Sequence, residues 1–271
     1  MTIEVVEFFQ SLRNGLFDFF FNMISFLGEE YVYILIISIV YFAYNKKLGE
    51  YLAFTLMFTG LFNNVLKGLF DRPRPFDKFE NRVENLRPDT STGMSFPSGH
   101  TQNFSAFWFA GAFKLKKNWL FITAAVLSML MAISRMYLGV HFLEDVIAAI
   151  VLGLITAYAT YKLFQKYGDN DVILHRLYIG ILIVFLPFLF LMDGEDFFKG
   201  YGLFLGFALG MMFEKKFVQF SLDVNITQKI LRIALGLILM VVIKFGVSIV
   251  FDLFAEEGST LMNIFDAFRY F

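Results

Sequence analysis

The chain has 271 residues, 58% of them hydrophobic and 17% charged, with a formal net charge of −1. Soluble domains run nearer 45–50% apolar and about 25% charged, so this balance points to a membrane protein. The near-zero net charge gives no electrostatic footprint for nucleic acid, and the absence of cysteine excludes disulfides, thiolate metal sites and a cysteine nucleophile.

The N-terminus, Met1 to Glu7, lacks a basic n-region and a following small-residue cleavage site, so it is expected to stay on the mature protein. Residues 5–28 are apolar but broken by Glu7, Gln10, Arg13, Asn14 and Asp18. The clean run Phe19 to Gly28 is too short for a hydrocarbon core that takes about 20 residues to cross. An interfacial amphipathic helix is the first expectation for this stretch, and a short or tilted span the second. Spans are expected at about 31–44, 51–69, 99–113, 118–136, 143–164, 175–192, 201–213 and 230–251. The fold class is therefore all-α, a polytopic membrane helix bundle of about eight spans. The third span has a clean run only over Thr101 to Phe113, so it is expected to begin inside a polar loop motif. Lys244, inside the last span, is either a snorkelling or a functional group.

Threading eight spans sorts the connections by charge. Asn45-Lys46-Lys47, Lys114 to Lys117, Lys162 to Arg176 and Lys215-Lys216 to Arg232 share one side. Glu29-Glu30, the 71–99 loop, Asp193 to Asp196 and Glu256-Glu257 share the other. The lysine-rich side is expected to be cytoplasmic.

The polar side carries the chemistry. Two of the three histidines, His100 and His141, lie in its segments, and four of the five prolines fall within 71–99. Upstream stands Lys67, then Arg72-Pro73-Arg74-Pro75. Alone, the lysine reads as a snorkelling residue and the Arg-Pro run as a stiff loop. A fixed guanidinium is also what bidentate phosphate binding needs. In Pro97-Ser98-Gly99-His100, glycine permits close backbone approach, and the following residues open a helix whose free N–H groups suit an anion. Downstream, Ser134-Arg135 precedes His141 and Asp145, which share one helical face by their spacing of four. A carboxylate on one imidazole nitrogen leaves the other free as nucleophile or base, and Glu144 is a rival for that orienting role.

Together these segments resemble the three-part signature of the type 2 phosphatidic acid phosphatase superfamily. K-x6-R-P fits Lys67 with Arg74-Pro75, P-S-G-H fits Pro97 to His100, and S-R-x5-H-x3-D fits Ser134, Arg135, His141 and Asp145. Arg72-Pro73 stands at the wrong distance from Lys67, so the arginine role falls to Arg74. The resemblance covers roughly residues 30–165 and implies a phosphatase core over 1–165, with a C-terminal extension of about three spans over 166–271. It implies that His141 attacks phosphorus to form a phosphohistidine, Asp145 orients it, and His100 protonates the leaving oxygen and then activates water. It implies that Lys67, Arg74, Ser98, Gly99 and Arg135 hold the phosphate oxygens.

The expected function is a multi-pass cell-membrane lipid phosphatase or diphosphatase, with its site on the extracytoplasmic face and a lipid phosphate as substrate. Cations supply the charge stabilisation, and no cofactor or metal is expected. A lipid phosphotransferase using the same phosphohistidine, and a non-catalytic lipid transporter or binding protein, are the alternatives.

Overall fold

The computed structural model of the chain describes residues 3–192 and 195–252. Among these there is no strand, and the helices are α1 (Ile3–Ser11), α2 (Gly15–Phe26), α3 (Glu30–Ile39), α4 (Lys46–Phe70), α5 (Pro75–Lys78), α6 (Gly99–Leu115), α7 (Asn118–Tyr137), α8 (Leu143–Tyr167), α9 (Asp171–Phe185), α10 (Glu195–Phe213) and α11 (Ile226–Asp252). Asp193, Gly194 and Glu256-Glu257 of the acidic connections lie outside the described residues, as does the side chain of Lys244.

Local chemistry sets the ends of the helices around the polar loops. Asp71, at a φ of 44°, closes α4, and the prolines at 73 and 75 cannot continue its hydrogen bonding. Ser98 caps α6, its side chain accepting from the Thr101 N–H. That helix begins at Gly99, inside the loop motif, as its short clean run predicts. Gly139, at a φ of 75°, turns the chain after α7, where a Cβ would meet the Glu84 carbonyl oxygen at 2.3 Å.

Length and composition qualify five helical segments as membrane spans: Lys46–Lys78, Asn118–Tyr137, Leu143–Tyr167, Asp171–Leu189 and Ile226–Ile243. The stretch Gly15–Phe26 with Glu30–Tyr44 qualifies only as one broken span. Helices stand at all eight expected positions, but α6 has 17 residues and α10 opens on Glu195, Asp196 and Lys199, so these two fall short. The count of eight is thus approximate. Besides being short, α6 carries a buried polar face of Thr101, Gln102 and Ser105.

The N-terminal stretch departs from a single interfacial helix. It breaks at Leu12 to Asn14, where the Asn14 side chain accepts from the N–H groups of Leu16 and Phe17 at 3.1 and 3.0 Å. Its first helix, α1, buries Ile3 and Val6 against Val83 and Phe142, with Val5 and Phe9 against Ala132, Met136 and Val146. Both α1 and α2 pack on α7.

The chain divides into two compact units. The first is 1–33 with 62–162, and the second is 34–61 with 163–271. In the first, α6 packs along α7, and Gly153 of α8 lets that helix approach α6 closely. The second is rich in aromatic contacts, with Phe54 touching the rings of Phe58, Phe164, Tyr178 and Phe204. There the buried carboxylate of Glu50 accepts from Tyr178 and from Lys215, each at 2.7 Å, and Lys46 pairs with Glu214 at 2.5 Å.

A Cβ at Gly153 would lie 2.7 Å from the Gln102 carbonyl oxygen and 2.8 Å from Ser105 Cβ, whereas one at Gly111 would meet nothing within 4 Å. Gly153→Ala is therefore expected to cost roughly 1–3 kcal/mol through overpacking. Gly111→Ala is expected to be neutral or mildly stabilising, since alanine is the better helix former. Thermal unfolding in detergent checks this ranking, and equal midpoints for the two variants would contradict the close α6–α8 contact.

Candidate active site

The site forms in the first unit, where the C-terminal ends of α4 and α7 meet the N-terminal ends of α6 and α8. Backbone hydrogen bonds clip the three sequence motifs together. The Ser95 N–H donates to the Arg72 carbonyl at 2.8 Å, and the Ser98 N–H donates to the Asp145 carbonyl at 3.2 Å. Segments far apart in sequence therefore share one backbone network.

Arg74 is 2% exposed. Its Nε donates to the Gly93 carbonyl at 2.9 Å, its Nη2 to the Thr92 carbonyl at 2.5 Å, and its Nη1 to the Val140 carbonyl at 3.1 Å. The same Nη1 stands 3.3 Å from His141 Nε2. Arg135 is fully buried and donates from Nη1 to Ser25 Oγ at 2.5 Å. Its Nε and Nη2 are buried with no hydrogen-bond partner, and so is His100 Nε2. Such groups are costly to leave unsatisfied, so this cluster is built to receive acceptor atoms. A Cβ at Gly99 would stand 3.9 Å from Lys67 Cε and 3.1 Å from Asn63 Oδ1, which puts the lysine stem beside the start of α6.

His141 is 1% exposed, in the turn between α7 and α8. Burial first, then the charges of Arg74, Arg135 and Lys67, hold its imidazole well below the ordinary histidine value. The ring is therefore neutral, with one nitrogen lone pair available. Arg74 faces Nε2 as a donor, which places that lone pair on Nε2 and the proton on Nδ1.

Asp145 is fully buried, while the Glu144 side chain is 41% exposed and 3.6 Å from Arg72. The structure thus turns Asp145, not Glu144, toward His141. Its Oδ2 is 3.6 Å from His141 Nδ1 and accepts from the Phe142 N–H at 2.8 Å and from Ser95 Oγ at 2.5 Å. Ser98 is fully buried and serves α6 as its cap, donating from Oγ to Thr101 Oγ1 at 3.0 Å. His100 lies within electrostatic reach of Arg135, His141, Lys67 and Arg74.

All eight site residues expected from the sequence are in this neighbourhood. Three others join them: Ser95 and Arg72 on Asp145, and Ser25 on Arg135. Ser95 adjoins a motif and Arg72 lies within one, but their partners lie far along the chain. Ser25 carries no sequence signal at all. Among the described residues, no group of three His, Asp or Glu side chains is placed to hold a metal ion.

Comparisons with known proteins place the chain among its relatives. A model of the PAP2 superfamily matches residues 49–169, and one of the PAP2 superfamily phosphatase transmembrane extension matches 198–271. A probable sphingosine-1-phosphate phosphatase of Dictyostelium discoideum is 29% identical over 203 residues, covering 69% of this chain and 50% of the relative. An undecaprenyl-diphosphatase of Sulfolobus acidocaldarius is 33% identical over 144 residues, covering 52% and 65%. The chain thus spans less than two thirds of either relative's length. The crystal structure of a transmembrane PAP2-type phosphatidylglycerolphosphate phosphatase from Bacillus subtilis superposes with a TM-score of 0.51 at 26% identity, over 60% of this chain and 84% of that one. The two family models fall on the site-bearing helices and on the C-terminal helices in turn, and the chain belongs to the PAP2 superfamily.

Proposed function

We propose that the chain is an integral membrane phosphatase that hydrolyses a lipid phosphate monoester or prenyl diphosphate through a phosphohistidine on His141. The observation that carries this is the convergence of a neutral imidazole with two buried guanidiniums, one of which keeps unpartnered N–H groups. The names of the relatives share a phosphate on a lipid anchor, which supports a lipid substrate.

The chemistry follows from the placement of protons. His141 Nε2 gives its lone pair to phosphorus as the bond from phosphorus to the leaving oxygen breaks. His100, protonated once the phosphate's negative charge joins the cluster, gives its proton to that oxygen. Arg74, Arg135, Lys67 and the Gly99 N–H hold the non-bridging oxygens, joined by the Ser98 hydroxyl once its proton turns from Thr101 Oγ1, and the charge of those oxygens is spread in the transition state. The imidazole keeps its Nδ1 proton and gains positive charge, which Asp145 offsets. His100, now neutral, takes a proton from water, whose oxygen attacks phosphorus and displaces Nε2. Phosphate and the starting protonation states result.

The site faces away from the cytoplasm in this proposal. Within α4, α6, α7 and α8 the motif residues stand at one end and lysines at or beside the other: Lys46-Lys47, Lys114 to Lys117, and Lys162 with Lys166. Lysine-rich ends stay cytoplasmic. The opposite ends then lie at the outer headgroup level, where a lipid presents its phosphate.

His141→Ala is expected to abolish phosphate release and acid-labile protein phosphate from labelled substrate. His100→Ala is expected to cripple turnover while retaining some phosphoenzyme with a good leaving group. Full activity of the His141 variant would end the mechanism. Arg74→Lys keeps the charge but loses the fork that reaches three carbonyls and His141. Its kcat is expected to fall on the order of 10²-fold, like the loss of an oxyanion donor. A Lys variant with wild-type kcat would show that charge alone suffices. For orientation, cysteines are placed at exposed Asn81 and Asn118 of this cysteine-free chain. An impermeant maleimide is expected to label position 81 in intact cells and position 118 only after permeabilisation. The reverse pattern would place the site in the cytoplasm.

A further inference from the structure

We propose that Ser95 and Arg72 are positioning residues for the nucleophile, completing a chain that runs from His141 through the Ser95 hydroxyl to Asp145 and on to the Arg72 guanidinium. The role presupposes the His141 nucleophile proposed above.

The direct separation of His141 Nδ1 and Asp145 Oδ2 is 3.6 Å, too long for a hydrogen bond. Ser95 Oγ stands beside both, 2.5 Å from Asp145 Oδ2 and, at the long end of hydrogen-bond range, 3.4 Å from His141 Nδ1. A hydroxyl has one proton and two lone pairs. The short contact goes to the carboxylate, an acceptor only, so Ser95 donates there. Its lone pair is then left toward Nδ1, which carries the ring proton because Arg74 faces Nε2. Through its hydroxyl and its backbone carbonyl, which also accepts from the ring, the serine thus holds the imidazole beside a carboxylate that it does not meet directly. It is fully buried, so no bulk water competes for the position.

Arg72 fixes the other carboxylate oxygen. Its Nη1 is 2.9 Å from Asp145 Oδ1, and its guanidinium lies 4.6 Å from the ring centre of Phe142, the residue next to His141. With Ser95 and the Phe142 N–H on Oδ2, both oxygens are held and the carboxylate plane is set. The Ser95 N–H also donates to the Arg72 carbonyl at 2.8 Å, so the two positioning residues are tied to each other. Positive charge that develops on the imidazole as the nitrogen–phosphorus bond forms meets an oriented dipole and then a carboxylate. No proton has to reach Asp145.

Both residues also hold loops, so the experiment must separate position from stability. The probe is para-nitrophenyl phosphate with the purified full chain in detergent. Its leaving group departs without protonation, so the burst of nitrophenolate reports attack by His141 rather than proton transfer from His100. Ser95→Ala and Arg72→Gln are each expected to slow the burst by roughly 10- to 100-fold per folded molecule, with KM changed less than about threefold, the pattern of an interaction used in the transition state. Arg72→Lys is expected to recover a large part of the loss, because an ammonium still meets Oδ1. Should Ser95→Ala not fold, the Arg72 pair decides, since that side chain is only partly buried. Wild-type burst rates in folded Arg72→Gln, or equal rates in the Lys and Gln variants, would overturn the role of Arg72 in the chain. A wild-type burst in folded Ser95→Ala would overturn the bridge. A burst that persists in His141→Ala would instead overturn the phosphohistidine mechanism itself, a result distinct from the others.

Discussion

The guanidinium of Arg74 is the interaction on which the site depends. A buried cation needs every donor satisfied, and here the acceptors are carbonyls of two separate loops. Thr92 and Gly93 belong to the loop before α6, and Val140 to the turn before α8. One side chain therefore sets the distance between the segment carrying Ser95 to His100 and the turn carrying His141. It then presents a donor edge to His141 Nε2. Removing it would leave three carbonyls without their partner and the imidazole without the group that fixes its lone pair.

The Arg-Pro-Arg-Pro run explains how two neighbouring arginines reach one His–Asp pair from different sides. Each arginine precedes a proline, which drives it out of the helical region into an extended conformation. Arg74 is extended, at φ −77° and ψ 163°. Residues two apart in an extended chain lie on one face. Arg72 then meets the carboxylate at Asp145 Oδ1, and Arg74 meets the imidazole at Nε2. The motif spacing from Lys67 picks out one of these two arginines, while the geometry uses both.

What could be read from the sequence follows the range of each signal. Helix positions depend on local periodicity, which is visible along the chain; the spacing of four also marked the His141–Asp145 pair, but His141 lies in the turn before α8 rather than on its helical face. The third span's start at Gly99 was legible because glycine, serine and proline punctuate it. The contacts of Arg72, Ser95 and Ser25 join residues 73, 50 and 110 apart, and nothing local marks such partners. The partners of the N-terminal stretch were hidden for a related reason. Its charged residues suggested a polar face for headgroups, yet Glu7 pairs with Arg82 and Asp18 accepts from Tyr137 at 2.6 Å. A polar face can be spent on protein as readily as on lipid, and composition does not distinguish the two.

That last point changes which part of the chain counts as the site's support. The superfamily match begins at residue 49, after α1 and α2. Yet Ser134 donates to the Phe21 carbonyl at 2.7 Å, and Arg135 donates to Ser25 Oγ, so both first residues of the third motif hang on α2. Arg87 reaches the same region, with bonds to Asn22 and Glu29. The Gln10 side chain of α1 donates to the Glu84 carbonyl at 2.7 Å and accepts from the Glu84 N–H at 3.1 Å, pinning the long polar loop beneath Gly139. The buried guanidinium of Arg135 has a hydroxyl from α2 on one edge and open donors on the other. Its orientation is thus set by a helix that the superfamily match does not include. The N-terminal helices are a wall of the site, and the chemistry of the motifs is held in register by residues outside them.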